Sequence, residues 1–347
     1  MSNSMINSES IAKLAGVSRS TVSRVINNYP NVPKKTRDHV LSIIEEYNYS
    51  PNISAQALKG KRTNTIGLFF ISSGAVTENL LNTYYIAAVI ENAAMYGYHV
   101  LSYIISDTSD EATIKTVKDV FRQQRIDAGI FKGVAGSEPL LEELVTEGFL
   151  IGVVDYDFNG RNEKNLVIAN YECIRTATNA VDYIASLNHR KIAVINGDPS
   201  MYSGVLRNKG FSIGIEKNIS NIDKYWIIPG VFSKESGYKQ MKNFLINATE
   251  LPTAVCAAND SVAFGAVNAL NEFGLKIPGD ISVIGIDDHI LSQYIKPPLT
   301  TFKVDFAEIY REITVALIEA IEKGENMLPV RFENETVFIE RESCKRI

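Results

Sequence analysis

Two short amphipathic patterns open the chain and meet at a glycine. In residues 9–27, ESIAKLAGVSRSTVSRVIN, apolar residues recur at i, i+3, i+4 on both sides of Gly16, which is the spacing of a helix with one buried face. Gly16 supplies the backbone freedom that a tight turn needs, and Ser18 is placed to cap the second helix. The pattern predicts a helix-turn-helix. The polar face of its second helix displays Arg19, Ser20, Ser23 and Arg24.

A third helical pattern and a short separate segment follow. Apolar residues keep helical spacing over about residues 34–46, which predicts a three-helix head. Pro51 then interrupts regular helix. Residues 52–58 are long enough for two helical turns, and an isolated helix this short is marginal in water. We therefore predict that this segment folds only against another surface, with Ala55 and Leu58 on one side.

From Thr65 onward, short β-rich runs alternate with amphipathic helical patterns. The runs are IGLFFI, YHVLSYII, AGIF and LIGVVD, followed by KIAVING, WIIPG, TAVCA and ISVIGID. Strands separated by helices form parallel sheets with right-handed crossovers, so the pattern predicts two doubly wound α/β lobes in tandem. Ligands of such folds bind at the carboxyl ends of strands. No GxxxxGK[ST] or GxGxxG follows a strand, which argues against a nucleotide-cofactor enzyme.

The charge is divided unevenly between these two parts. The chain has a formal charge of −5, but residues 1–62 contain nine Lys or Arg against four Asp or Glu. The head is therefore at +5 and the remainder at −10. A basic head on an acidic body indicates a polyanion-binding module joined to a domain with another task.

Few residues suit catalysis or metal binding. The three cysteines (Cys173, Cys256 and Cys344) are widely spaced, and the four histidines show neither metal-ligand spacing nor a Ser/His/Asp grouping. We expect free thiols in a reducing compartment, with no cofactor, no metal and no enzymatic activity. The first residues lack a signal-peptide core, and no apolar run approaches ~20 residues. The sequence thus predicts a cytoplasmic protein without membrane contact.

The order of motifs along the whole chain resembles the lactose/galactose repressor (LacI/GalR) family of transcriptional regulators. The resemblance rests on IAKLAGVSRSTVSRVIN, VPKKTRDHVLSIIEEYNYSPN, ISAQALKGKRTNTIGL, SGVLRNKGF, AANDSVAFGAVNAL and IPGDISVIGIDDHILSQYIKPPLTTFKVDF. It implies an all-α helix-turn-helix head (1–51), a hinge helix and linker (52–63) and a two-lobed periplasmic-binding-protein-like core (64–347). The implied N-subdomain is about 64–168 plus 303–328, and the C-subdomain is about 169–302 plus 329–347.

The resemblance implies that the second head helix lies in the major groove of double-stranded operator DNA. Arg19 and Ser20 would choose the sequence, because an arginine can bond bidentately to guanine. The other residues would mix base and phosphate contacts, or are ordinary solvated positions. The full set assigned to DNA in the head is Ser18, Arg19, Ser20, Thr21, Ser23, Arg24, Asn27 and Tyr49.

The resemblance also implies that two hinge helices, one from each subunit, pair in the minor groove. Leu58 would wedge into the central base step and kink it, while Ala55 would allow close approach. Tyr49 and Asn52 would brace the head or touch phosphate. The alternative is a passive linker. A homodimer is expected, because the chain stops at ERESCKRI without the Leu-heptad tail of the lactose repressor.

Five residues match the family's effector site between the lobes: Asp155, Arg207, Phe232, Asn259 and Asp287. Tyr84 and Tyr85 would approach the ligand from the other lobe. Carboxylate, amide and guanidinium groups suit the hydroxyls of a polyol, and an aromatic ring packs on the C–H face of a sugar. As alternatives, Asn259 and Asp287 are capping residues. The three aromatic residues would then belong to the core or to their own helix.

The sequence therefore predicts a homodimeric repressor of carbohydrate-utilisation genes that a sugar-type effector releases from a palindromic operator. A purine/nucleoside- or phosphoprotein-responsive regulator of the same family is the alternative. Residues 201–203, Met-Tyr-Ser, lack the additional arginine expected of a nucleobase site, which favours a sugar. A periplasmic solute-binding protein shares the two-lobed core but would carry a signal peptide in place of the basic head.

Overall fold

Two compact units make up the structure, a computed structural model that describes residues 6–50, 62–72, 80–136, 138–157, 164–324 and 329–347. The units are Met1–Thr63, here called the head, and Asn64–Ile347, here called the core. The hinge residues Asn52, Ala55 and Leu58 lie outside the described residues. Within the described ranges, no helix is long and apolar enough to cross a membrane.

The head is a three-helix unit. Its helices are α1 (Ser8–Leu14), α2 (Arg19–Ile26) and α3 (Lys34–Glu46). Gly16, at φ +61°, makes the turn between α1 and α2, where a residue without a Cβ adopts positive φ without strain. Ser18 caps α2, because its Oγ accepts a hydrogen bond from the Thr21 amide at 3.1 Å. These features confirm the predicted helix-turn-helix.

A small apolar core holds the three head helices together. Ile11, Val22 and Val40, one from each helix, are fully buried. Burying a side chain of this size stabilises the folded state by about 1.5–3 kcal/mol. Because this stripe fixes which side of α2 faces inward, the opposite side, with Arg19, Ser20 and Arg24, is exposed.

The core alternates strands and helices in the predicted order. Its first elements are β1 (Thr65–Ile71), α4 (Leu81–Met95), β2 (His99–Ile105), α5 (Glu111–Arg122), β3 (Ala128–Lys132), α6 (Pro139–Thr146), β4 (Ile151–Val154) and β5 (Leu166–Tyr171). They are followed by α7 (Cys173–Ser186), β6 (Lys191–Ile195), α8 (Tyr202–Lys217), β7 (Lys224–Ile228), α9 (Lys234–Asn247), β8 (Ala254–Ala257), α10 (Asp260–Glu272) and β9 (Ser282–Ile284). The last are β10 (Thr301–Lys303), α11 (Phe306–Lys323), β11 (Val330–Asn334) and β12 (Val337–Ile339).

Two parallel sheets define two lobes. The N-lobe sheet has the order β11-β5-β4-β3-β1-β2, and the C-lobe sheet has the order β7-β6-β8-β9. In β1, Leu68 belongs to the apolar cluster under α4 and α11, whereas its neighbour Phe69 belongs to the cluster under α5 and α6. Both faces of the N-lobe sheet are thus covered, which explains why β1 reads as a continuous apolar run. The predicted two-lobed α/β core is confirmed.

One boundary drawn from the sequence is wrong. All of residues 329–347 were assigned to the C-subdomain, but β11 pairs in parallel with β5 in the N-lobe sheet, with Val330 opposite Val167. The chain returns to the C-lobe at β12, which pairs antiparallel with β10. In β11, half-buried and exposed residues alternate. This is the pattern of any edge strand, and it carries no information about which sheet the strand joins.

Glycines bring the helices α9 and α10 into close backbone contact. A Cβ on Gly265 of α10 would overlap the Lys234 carbonyl of α9, and a Cβ on Gly237 of α9 would overlap the Val262 carbonyl of α10. No flexible side chain can move aside at either place, because the obstructing atoms belong to the backbone. The two glycines therefore set the distance between these helices.

We expect Gly265→Ala to lower the free energy of unfolding of the core by about 2 kcal/mol or more, because overpacking outweighs the higher helix propensity of alanine. Urea denaturation followed by fluorescence of Trp226, the single tryptophan, measures the change. Asn268→Ala, at an exposed position of the same helix, is the matched control and should leave stability equal or slightly higher. A neutral Gly265→Ala would show that the helices are not held at this distance.

Candidate functional site

The exposed face of α2 is the first candidate site. Ser18, Arg19, Ser20 and Arg24 are exposed, while Thr21, Ser23 and Asn27 are half-buried. Ser18 is engaged in the cap, and its Oγ also lies 2.9 Å from Thr21 Oγ1. Asn27 donates from Nδ2 to Ser23 Oγ at 3.2 Å. The exposed arginines are therefore the side chains of this face that reach furthest into solvent.

Arg19 is held from outside its own helix. Its Nε donates to the Ser8 hydroxyl of α1 at 2.9 Å. This bond occupies one edge of the guanidinium group and leaves both terminal amino groups free of it. Two terminal amino groups are what an arginine presents in a bidentate bond to guanine. Sequence reasoning missed Ser8, because the spacing of α1 and α2 does not show which polar side chains meet across the turn.

Tyr49, the last residue assigned to DNA in the described head, packs against the head core. It is half-buried beside the apolar cluster that includes Ile11 and Val40. This placement favours the bracing role over a phosphate contact.

The second candidate site is the cleft between the two lobes of the core. Asp155 follows β4, Asp287 follows β9, and Arg207 projects from α8. Asp155 and Asp287 have φ values of +62° and +119°. Residues other than glycine rarely adopt such values, and backbone strain of this kind is concentrated at functional sites. The carboxyl ends of strands from both sheets therefore meet where the sequence predicts a ligand.

Arg207 is the centre of this polar cluster. It is buried and donates from Nη2 to Asp287 Oδ1 at 2.8 Å. It also donates to the Ala258 carbonyl and to the Tyr171 hydroxyl. Its guanidinium carbon lies 5.1 Å from the centre of the Phe232 ring, close enough for a cation–π interaction. Among the described residues, its Nε has no hydrogen-bond partner.

Asp155 links the two lobes. Its Oδ2 accepts a hydrogen bond at 2.6 Å from the Ser203 hydroxyl of α8, which belongs to the C-lobe. Nearby, the Gly136 amide of the N-lobe donates to the Ser200 carbonyl at 2.9 Å. Burial raises the pKa of both Asp155 and Asp287, and the Arg207 charge opposes this effect. The cleft thus contains two carboxylates, each with its own donor from the C-lobe.

The remaining predicted cleft residues have three different surroundings: a helix cap, the buried core and the edge of a cavity. Asn259 caps α10, because its Oδ1 accepts from the Val262 amide at 2.9 Å. Tyr85 is buried, and its ring stacks on Tyr310 with centroids 4.8 Å apart. Tyr84 is exposed at the rim of a cavity of about 320 Å³ that Asp287 also lines. Tyr84 and Tyr85 therefore have different surroundings, because adjacent helix positions point about 100° apart.

Three residues that the sequence did not single out belong to the cleft or support it. They are Lys132, Ser203 and Asp260. Lys132 is the last residue of β3, so the rule that ligands bind at strand carboxyl ends could have identified it. Asp260 accepts from the His289 amide at 2.8 Å, the Ser292 hydroxyl at 2.5 Å and the Thr301 hydroxyl at 2.6 Å. No sequence pattern shows that these donors converge on one carboxylate.

The described residues contain no group of three or more His, Cys, Asp or Glu side chains placed to hold a metal ion. The three cysteines are free thiols, and Cys173 and Cys256 are buried. Burial raises the pKa of Cys173 to about 12, so its thiolate is scarce at neutral pH.

The head and the core each match known proteins. Residues 9–52 match the model described as "Bacterial regulatory proteins, lacI family", and residues 181–344 match the "Periplasmic binding protein-like domain". The chain is 32% identical over 315 residues, 90% of each chain, to the HTH-type transcriptional repressor PurR of Haemophilus influenzae.

Two solved structures extend the similarity over nearly the whole chain. One is the Lac repressor dimer bound to operator and the anti-inducer ONPF, with a TM-score of 0.80, 27% identity and coverage of 98% of this chain and 99% of that one. The other is the complex of the transcriptional regulator CelR with cellobiose, with a TM-score of 0.72, 26% identity and coverage of 97% and 99%.

Proposed function

Because the chain belongs to the lacI family of bacterial regulatory proteins, which are DNA-binding transcriptional repressors, we propose that it represses carbohydrate-utilisation genes. In this proposal, a sugar-type effector binds between the two lobes and releases the protein from a palindromic operator. The observation that carries the proposal is the cluster of Arg207, Asp287 and Asp155 beside the Phe232 ring in the interlobe cleft.

The chemistry of the cleft supports a carbohydrate. Carboxylates accept hydrogen bonds from hydroxyl groups, an arginine donates to ring and hydroxyl oxygens, and an aromatic face packs on C–H groups. A cavity of about 320 Å³, within the size range of small-ligand pockets, lies beside this cluster; Tyr84 and Asp287 line it, whereas Arg207, Asp155 and Phe232 are not among its lining residues. One solved structural relative is a complex with cellobiose.

The nucleobase alternative has less support in this cleft. In the segment 201–203, where a nucleobase site would add an arginine, Ser203 donates to Asp155. In this chain the segment therefore supplies a hydroxyl that binds Asp155, and it supplies no arginine. A phosphoprotein-responsive regulator remains the second alternative from sequence, and no contact among the described residues favours it.

Coupling between the sites is proposed to run through the hinge, residues 52–58. Ordering this segment opposes folding by about 1–2 kcal/mol per residue, which paired hinge helices and the minor groove must offset. Effector binding would change the orientation of the lobes within a dimer and separate the hinges. Asn52, Ala55 and Leu58 keep here the roles that the family resemblance implies.

Exposed apolar side chains support a homodimer. In the N-lobe, Met95 and Ile104 are 72% and 68% exposed. In the C-lobe, Tyr225 and Ile227 are exposed on β7, an edge strand like β2, which carries Ile104. Apolar edge strands are normally covered in soluble proteins, and a second copy of the chain would cover both lobes at once and pair the two heads.

The head is tested with a duplex selected from random DNA. We expect Arg19→Ala to weaken binding to the selected operator by about 10- to 100-fold and binding to random DNA far less, because one bidentate contact contributes about 1–3 kcal/mol of discrimination. Ser8→Ala should lose a smaller part of the discrimination between operator and random DNA, because Arg19 is still present but no longer donates a hydrogen bond to Ser8. Fluorescence anisotropy of labelled duplexes gives both affinities. Equal losses on operator and random DNA would contradict base readout by Arg19.

The effector is tested by adding a panel of sugars, sugar acids, sugar phosphates and nucleobases to the same operator complex. The proposal predicts release by a carbohydrate and none by a nucleobase. Release by a nucleobase alone would overturn it.

A further inference from the structure

Lys132 places a second cation in the effector cleft. It is the last residue of β3, at the carboxyl edge of the N-lobe sheet, and is half-buried. Its Nζ lies 5.3 Å from the centre of the Tyr85 ring. Among the described residues, its ammonium group has no ion pair and no hydrogen bond. The contact with the Tyr85 ring contributes about 0.5–2 kcal/mol, less than an ammonium loses when it is withdrawn from water without a counter-ion, so the position needs a reason.

The other charges of the cleft already have partners. Asp287 accepts from Arg207 at 2.8 Å, and Asp155 accepts from Ser203 at 2.6 Å. Burial lowers the pKa of Lys132, although the charges of Asp155 and Asp287 oppose this effect. The two carboxylates therefore lie near enough to affect Lys132 but do not fully compensate its burial.

We propose that Lys132 forms an anion subsite of the effector cleft, and that the effector is an acidic carbohydrate whose carboxylate or phosphate binds there. The inference rests on the proposed function, because it assumes that this cleft binds the effector. An anionic oxygen would accept a hydrogen bond from the Lys132 ammonium and compensate its charge. Charge-assisted bonds of this kind are about twice as strong as neutral ones. A neutral hydroxyl would leave the charge of Lys132 uncompensated.

The two carboxylates need not exclude an anion, because in this proposal they and Lys132 bind different groups of the effector. The Asp155 and Asp287 oxygens remain acceptors for the hydroxyl groups of the sugar, whereas the acidic group binds at the end of β3. A sugar acid and a sugar phosphate offer the same chemistry to Lys132, so the choice between them is left to the experiment.

Calorimetric titration of the full-length protein tests the subsite. The probes are glucose and galactose, the corresponding uronates and aldonates, and the corresponding 6-phosphates. We expect an acidic member to bind at least about tenfold more tightly than its neutral parent, a difference of about 1.4 kcal/mol. Whether the uronate and aldonate arms or the phosphate arm binds most tightly identifies the acidic group.

Three variants separate charge from shape. Lys132→Met should remove the preference for the acidic sugar and leave the affinity for the neutral parent within about threefold, whereas Lys132→Arg should keep most of the preference. Lys217→Met is the matched control, because Lys217 is an exposed lysine that pairs with Asp182 at 2.6 Å and does not line the cavity beside Asp287. It should change neither affinity by more than about twofold, since exposed pairs contribute little.

Two results would overturn the inference in different ways. If a neutral sugar binds as tightly as its acidic counterpart and releases the operator, the anion subsite is wrong and the proposed function stands. The same conclusion follows if Lys132→Met weakens the neutral and acidic members equally. If no carbohydrate in the panel binds, both the inference and the proposed function are wrong.

Discussion

Arg207→Ala is expected to abolish release of the operator by the effector while leaving operator binding itself within about threefold of wild type, because the head folds around its own core. In the cleft, the substitution removes three donated hydrogen bonds, to Asp287, Ala258 and Tyr171. It also leaves the Asp287 carboxylate buried without its cation. Removing one partner of a buried ion pair typically lowers the free energy of unfolding by about 3–5 kcal/mol. Loss of a charge-assisted bond from Arg207 to the effector, about 1.5–3 kcal/mol, corresponds to about 10- to 150-fold in effector affinity.

Two further variants make this result interpretable. Arg207→Lys keeps the charge but loses the fork of donors, so it should bind effector more weakly than wild type and more tightly than Arg207→Ala. Arg190→Ala removes an exposed arginine that pairs with Asp223 at 3.3 Å. It should change stability by less than about 1 kcal/mol and leave the effector response intact. An Arg207→Ala protein that still responds to effector at wild-type concentrations would contradict the placement of the site.

Asp260→Asn is expected to remove a large pH dependence from the stability of the core. Burial raises the pKa of Asp260 to about 8, despite bonds from Ser292, Thr301 and the His289 amide that favour the charged form. An aspartate in an unfolded chain has a pKa of about 3.9. Between these values the unfolded chain has lost a proton that the folded protein keeps. The free energy of unfolding of the wild type therefore falls as the pH rises from about 4 to about 8.

The asparagine variant imitates the neutral acid. Its amide oxygen can accept from Ser292 and the His289 amide, and its amide nitrogen can donate to Thr301 Oγ1. Relative to wild type, it should gain stability progressively from about pH 4 to about pH 8, by several kcal/mol. Urea denaturation followed by Trp226, which lies in the same lobe, gives this difference at each pH.

Asp260→Ala is the control, because it also cannot ionise but leaves the three donors without an acceptor. Each buried donor without an acceptor costs about 1–3 kcal/mol, so this variant should be less stable than Asp260→Asn at every pH. The explanation would be wrong if wild type and Asp260→Asn differed by the same amount at low and high pH. Because Asp260 binds the loop that begins at His289, next to Asp287 and Asp288, the same carboxylate supports one wall of the cleft.

Much of the fold could be predicted from periodicity and capping residues alone. The third head helix begins at Lys34 and ends at Glu46, as the apolar spacing indicates. Asn259 caps α10, which is one of the two roles that the sequence indicated for it. Such elements are predictable because the side chains that determine them lie within a few residues of one another.

The parts that could not be predicted depend on residues far apart in the chain. Ser203 reaches Asp155 across 48 positions, and Arg207 reaches Asp287 across 80. The family resemblance pointed to Asp155, Arg207 and Asp287 but not to Ser203 or Lys132. Pattern reasoning also treated Tyr84 and Tyr85 alike. One is exposed and the other lies in the aromatic stack with Tyr310, a difference that only tertiary packing determines.

The claim that effector binding in the cleft controls operator binding by the head is tested most directly by measuring the coupling in both directions. Effector affinity is measured for the free protein and for the operator-bound protein, and operator affinity is measured with and without saturating effector. Because coupling between two sites is reciprocal, we expect each ligand to weaken the binding of the other by the same factor, typically about 5- to 150-fold. An effector that binds the cleft with equal affinity in the free and operator-bound protein would contradict release of the operator by the effector.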